Sequence, residues 1–414
     1  MSLLVLELNE FNHKILSNYS KKFNFRYIKK ILNFHHSKTT TKDTYLGDNN
    51  QYGYLDPWSQ WVSIHTLTNS KKHKIKNLGD IPELKIKQIW ELKKKIDFYI
   101  WGPMNASRRG SKNVKLFFPD PWVYSEKAFP KNFNKILEPI KVSIKSRGNI
   151  NILKKITFSC SVFYEFTKYL GILEVIKLVT KTFFDFIKYN KNYVFFCNWE
   201  YLCLKVLINI IKNKKNFISL YFINSLAHVQ HHYWREKKYS HEIFYCLKYF
   251  NKMVEHIYKN KNFNLLIING FSQKNSEREK LCLYEQKSHS KLLKKLGIDF
   301  DRIEKLMTND AFIFFKNNEE ANKCKQILKS MKFQNRNIFH IENINNKKIF
   351  YKTNFIKKVK KNEFISGPNY KLKFLDYFSF VTLRRGIHTR KGDILSEREI
   401  FPKEIENHNI FKKI

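Results

Sequence analysis

The chain has 414 residues, 43% hydrophobic and 16% aromatic, which is enough to bury a large core and excludes wholesale disorder. With 12 Gly and 9 Pro it has little material for a long linker, so a single domain over residues 1–414 is expected. A formal charge of +41 would attract nucleic acid, anionic membranes or acidic glycans. Lysines are spread along the whole chain, as at residues 93–95, 214–215 and 357–361, and accompany abundant Asn, Ile, Phe and Tyr. That is the pattern of an AT-rich coding sequence, and it argues against nucleic acid as the partner.

Apolar runs rich in β-branched and aromatic residues predict buried strands at residues 3–8, 98–101, 193–197, 218–223 and 265–268. Helices are predicted between them at 83–95, 163–189, 201–212 and 241–259, with 135–190 forming a helical segment. This alternation predicts a three-layer α/β/α fold around a largely parallel central sheet. From residue 299 the pattern changes to a small α+β insertion over 300–365. It has strands at 311–315, 338–341 and 348–351, and a helix at 319–331 with Asn318 as its N-cap. Residues 371–382 are expected to return to the main body. The chain start, residues 3–5 followed by acidic and polar Glu7, Asn9 and Glu10, is too short and too acidic for a signal peptide. Lysines interrupt the most apolar region, 156–210, so no transmembrane segment is expected. The six cysteines contain no Cys-x-x-Cys pair, which points to a reduced, cytoplasmic protein.

Ligands of such sheets sit beyond the carboxyl ends of the strands. The polar clusters at 9–12, 224–232 and 269–273 are therefore the candidate site. In Asn224-Ser-Leu-Ala-His228-Val-Gln-His231-His232, a helix would place His228, His231 and His232 on one face, suited to a transition metal or a phosphate-like anion. The segment Asp56-Pro-Trp-Ser59 through Ser63, His65 and Thr66 offers hydroxyls and partners, although sequence proximity alone activates none of them. Near the end, Gly386-Ile-His388 and Gly392 form a basic loop suited to close approach to a ligand or metal.

In order and spacing these segments resemble the alkaline phosphatase superfamily, nearest its type I phosphodiesterase and nucleotide pyrophosphatase branch. Residues 4–11 resemble the first strand, which ends in Asp-Gly, and residues 60–73 the nucleophile helix and the stretch after it. Asn224-x-x-x-His228 is similar to a metal pair Asp-x-x-x-His, Asn269-Gly-Phe-Ser272 stands where Ser-Asp-His-Gly is expected, and His388 resembles the closing metal histidine. The resemblance implies phosphate- or sulfate-ester chemistry on two zinc ions.

It also implies a depleted site. One metal would use position 9, the nucleophile, and positions 270 and 271, which here are Asn9, Pro57 (or its neighbours Asp56 or Trp58, none of them a hydroxyl), Gly270 and Phe271. The other would use Asn224, His228 and His388. The expected cofactor is therefore at most one zinc or similar divalent metal, with the two-zinc site lost. The expected activity is a hydrolase or transferase of phosphate or sulfate esters. In it Asp56 or Ser59 serves as nucleophile or base, and His231 or His232 as acid/base. The alternative is a non-catalytic relative that binds an anionic ligand or partner. Either way the partner is an anionic small molecule or ester.

Overall fold

A computed structural model describes residues 2–41, 56–146, 150–306 and 309–414. The expected segments 135–190 and 300–365 include residues 147–149 and 307–308, which lie outside the described residues. The chain divides into two compact units, one comprising Met1–Lys274 with Ile387–Ile414 and the other Asn275–Gly386.

The first unit is built on an eight-stranded sheet. Its strands are β1 (Leu3–Leu8), β2 (His35–Thr40), β3 (Asp97–Trp101), β4 (Val114–Phe118), β5 (Phe217–Ile223), β6 (Asn264–Asn269), β7 (Lys391–Ser396) and β8 (Glu404–Glu406), in the order β8-β2-β7-β6-β1-β5-β3-β4. β6, β1, β5, β3 and β4 run parallel, and β7 alone is antiparallel to its neighbours. The expected largely parallel sheet is thus present. Every residue of β1 and β5 is buried, as central strands covered on both faces require.

Strand alternation divides β1 between two cores. Leu4, Leu6 and Leu8 enter the core formed with α1 (His13–Phe23), α2 (Arg26–Leu32) and the helices of the same face described below. Leu3 and Val5 enter the opposite core, with Trp61 and Ile64 of α3 (Pro57–Thr66). Glu7 and Asn9 continue this second row and so reach α3.

Helical content differs from expectation at three places. Residues 193–197, read as a strand from their aromatic and β-branched composition, begin one continuous helix ending at Ile211. Its buried positions Tyr193, Val194, Cys197 and Asn198 follow a helical spacing, so periodicity prevails over propensity. The expected helix 163–189 extends further toward the N-terminus and breaks at Gly171, whose φ of 78° no helix can accommodate. After α4 (Asn134–Lys145), this gives α5 (Ile152–Leu170), α6 (Ile172–Tyr189) and α7 (Tyr193–Ile211). The expected helix 83–95 contracts to one turn at Ile89–Leu92, because its lysines leave no continuous apolar face. α7 is, among the described residues, the one helix long and apolar enough to cross a membrane; half of it is buried in the core. α8 (Ser225–Tyr233) follows β5 and α9 (His241–Asn260) precedes β6, the latter as predicted.

The second unit carries an antiparallel four-stranded sheet of Phe339–Asn345, Lys348–Thr353, Asp310–Phe314 and Arg302–Lys305. Helix Asn318–Ser330 is capped by Asn317, one residue before the expected cap, whose side chain accepts from Glu320 N at 2.9 Å. A separate core of Leu292, Ile313, Cys324, Leu328 and Tyr351 holds this unit. Residues 371–382 lie within it, where Phe378–Arg384 pairs with Leu281–Gln286.

Candidate metal centre

The site lies at the carboxyl ends of β1, β5 and β6. On the α3 side of β1, buried Glu7 meets His65 at 2.7 Å, and Asn9 Oδ1 accepts from Trp61 Nε1 at 2.8 Å. The next residue, Glu10, takes a left-handed turn with φ of 51°, which takes the chain out of the strand. Three neighbouring elements hold the resulting loop. Gln230 of α8 donates to Glu10 O at 3.0 Å and accepts from Asn12 N at 3.0 Å. Asn269 and Ser272, at and after the end of β6, both donate to Phe11 O, Ser272 at 2.8 Å. Asn12 in turn donates to Gln273 O at 2.8 Å.

This loop presents the buried Glu10 carboxylate to two histidines from distant elements. Oε2 lies 2.7 Å from His231 Nε2 on α8 and 2.8 Å from His388 Nε2, just before β7. Gln273 Nε2 donates to the same oxygen at 2.7 Å, and Asn9 Nδ2 to Oε1 at 3.2 Å. Burial by itself would raise the Glu10 pKa. The positive charges and hydrogen bonds of His388 and His231 outweigh it and hold the carboxyl well below its ordinary range. The ligand atoms of Glu10, His231 and His388 all lie within 4.8 Å of one another. One carboxylate and two imidazoles is a donor set that zinc takes in catalytic centres, and it fits a single ion.

A second row runs beside this one. Asn9 Nδ2 donates to Asn224 Oδ1 at 2.8 Å, and Asn224 Nδ2 approaches His228 Nε2 at 3.2 Å. Burial, and next to it the positive charge of His231, lowers the His228 pKa, so this ring is neutral and its Nε2 can accept. Behind them, Glu200 of α7 receives Asn224 N at 2.7 Å, Ser225 N at 2.8 Å and Ser225 Oγ at 2.5 Å, capping the start of α8. Burial raises its carboxyl to about 7, against the pull of those three donors.

The expected metal residues are therefore divided. Asn9, Asn224 and His228 form the amide–imidazole row, whereas His388 joins His231 on Glu10. His232 lies beside His231, ring centroids 6.3 Å apart. Asp56 occupies the N-cap position of α3 without a side-chain cap bond, and no hydrogen bond or ion pair among the described residues joins Asp56 or Ser59 to the Glu10 cluster. Ser63 Oγ lies 2.9 Å from His73 Nε2, but His73 Nδ1 accepts from Ile75 N. The ring proton then sits on Nε2, and the ring donates to Ser63 instead of activating it. Sequence reasoning missed Glu10 as a candidate ligand, together with Gln230 and Gln273, whose hydrogen bonds hold it. The available signal was that Glu10 is the acidic residue directly after Asn9, at a strand's carboxyl end. Gly392, expected to admit a ligand, instead admits backbone: a Cβ there would meet Asn269 O, Thr39 Oγ1 at 2.5 Å and Phe271 N at 2.7 Å.

No protein-family profile and no curated protein sequence matches the chain. Among solved structures it is similar to phosphonoacetate hydrolase from Sinorhizobium meliloti 1021, with a TM-score of 0.45, 10% identity, and 99% of this chain and 93% of that chain covered. It is also similar to human ectonucleotide pyrophosphatase/phosphodiesterase 5, with a TM-score of 0.41, 10% identity and coverage of 100% and 93%. For alkaline phosphatase from the Antarctic bacterium TAB5, the TM-score is 0.37, the identity 9% and the coverage 100% and 96%.

Proposed function

We propose that this chain is a phosphate- or sulfate-ester hydrolase of alkaline-phosphatase type that works from one divalent metal, zinc by its donors, held by Glu10, His231 and His388. The observation that carries this reading is the buried carboxylate with its two imidazoles at the carboxyl end of a parallel sheet. By the resemblance, carboxylates would be expected at positions 9 and 224. Here the charge is moved one residue along the loop, to Glu10, and the partner histidine one turn along α8, to His231. Zinc in such a donor set supplies Lewis acidity and lowers the pKa of water to about 7. That property suits a site in which Pro57, and no hydroxyl, stands where the nucleophile is expected.

The chain's own groups then have separable tasks. Glu10, His231 and His388 bind the ion, and Gln273 and Gln230 fix the Glu10 loop. Neutral His228 accepts a proton-bearing partner, and Asn9 and Asn224 present fixed dipoles toward an anionic ester. The high positive charge draws that ester in. The thiols, all free, fit a reducing cytoplasmic setting.

Metal analysis of purified protein and of Glu10→Ala and His388→Ala, alongside turnover of bis-p-nitrophenyl phosphate, tests the proposal. One zinc per chain with turnover, both lost in the variants, is expected. Absence of stoichiometric metal would sink it. Metal without turnover would favour a non-catalytic relative binding an anionic ligand, the reading suggested by Pro57, Gly270 and Phe271.

A further inference from the structure

The helical hairpin α5–α6 and the start of α7 expose an apolar face that the fold leaves uncovered. On α6, Ile172, Ile176, Val179, Phe183 and Ile187 are exposed and recur at helical spacing, while Val175 and Leu178 face the core. Leu173 is 81% and Phe184 63% exposed. On α5, Ile152, Ile156 and Tyr164 are exposed as well, and Leu153 is 70% exposed beside them. Phe195 and Phe196 extend the exposed apolar surface onto α7. Monomeric proteins in water rarely leave contiguous apolar surface on this scale without an occupant.

Charge identifies the occupant. The hairpin's acids are all turned to internal partners: Glu165 to Lys168 and Lys135, Glu174 to Lys205, Asp185 to Lys181 and the Tyr245 hydroxyl. Lys154, Lys155, Lys177, Lys188 and Lys191 are exposed and have no acidic partner among the described residues. The exposed charges that this surface leaves without an acidic partner are therefore all cationic. Two copies of the chain meeting there would set lysine against lysine. A bilayer with anionic headgroups answers both features, apolar side chains entering the acyl boundary and lysines reaching the phosphates.

We infer that α5, α6 and the start of α7 form a docking surface for an anionic membrane, lying in its interface without crossing it. The surface reaches the rim of the candidate metal centre, since the exposed Phe196 ring stacks on His228 with centroids 5.6 Å apart. The inference does not depend on the proposed chemistry.

Flotation of the full chain with vesicles tests it, comparing phosphatidylcholine alone with phosphatidylcholine containing about one-third phosphatidylglycerol. The protein is expected to float with the anionic vesicles and about tenfold less with the neutral ones. Leu173→Glu with Phe184→Glu should reduce flotation at least about tenfold, and Lys177→Glu with Lys188→Glu about tenfold on anionic vesicles only. Both pairs should keep the wild-type thermal transition, because these side chains are exposed in the folded state. Wild-type protein that stays unbound overturns the inference. So does a concentration-dependent dimer, in sedimentation without vesicles, that the Leu173/Phe184 pair abolishes.

Discussion

Replacing Glu10 by Gln keeps the shape and removes the charge at the centre of the site. Oε2 now serves three nitrogen neighbours, His231, His388 and Gln273, at 2.7, 2.8 and 2.7 Å. A Gln amide that points its NH2 there meets the Gln273 donor, and turned over it meets the Asn9 donor. Hydrogen bonds to a buried charged group contribute about 1.5–3 kcal/mol each, and the relief of desolvation offsets part of the loss, so a net cost of about 2–4 kcal/mol is expected near neutral pH. Urea unfolding in the presence of a chelator measures it. Glu10 titrates below its ordinary range in the folded chain. Its contribution is therefore full above the unfolded carboxyl pKa of about 4.5 and lost as pH falls through the folded one. The gap between wild type and variant should close in that acid window, where protonated Glu10 resembles the amide. Zinc affinity, by calorimetric titration against a competing chelator, should fall at least about 100-fold, or about 2.7 kcal/mol. An unchanged affinity in Glu10→Gln together with a collapsed one in His228→Ala would refute this reasoning and move the ion to the Asn224 row.

Asp120 is buried, with Trp122 N donating to it at 2.9 Å, and burial raises its carboxyl to about 6. A raised acid pKa means the penalty is absent below the unfolded pKa of about 4 and present above the folded one, so Asp120→Asn should remove up to about 3 kcal/mol of stability loss between pH 4 and 8; an unchanged urea-midpoint slope would contradict this. Gly392→Ala drives a methyl into the backbone of Asn269 and Phe271, and thermal unfolding should show a loss of at least about 2 kcal/mol.

The parts of the fold that could be read from the residues are those where one physical signal acts alone. The runs at β1 and β5 are apolar throughout because both faces are covered, and α9 shows its core face at a clear helical spacing. β2 escaped notice because His-His-Ser-Lys-Thr-Thr is polar. Only Ser37 and Thr39 turn inward, and its strand state comes from pairing with β7, nearly the whole chain away. The start of α7 was misread because Tyr, Val and Phe favour strands locally, while its burial against the sheet follows a helix. In the site, the segments at 9–12, 224–232 and 269–273 and the closing His388 were visible as polar clusters after strands. The choice among their side chains was not. Glu10, rather than Asn9, becomes the pivot because of one left-handed backbone turn and two glutamines, neither of which leaves a spacing in the sequence.

The three donors also come from the chain's first loop, its middle and its closing segment. The carboxylate is laid down near residue 10, while the last imidazole waits for residue 388, after the second unit has been completed. An ion bound there would act as a clasp between segments far apart in the chain, near residue 10 and near residue 388. It would form only once both are in place, and it would have to open before β7 could peel from β6. Loading should therefore slow unfolding more than it speeds folding, so that the half-life of the folded chain in denaturant becomes a direct gauge of whether the clasp is closed.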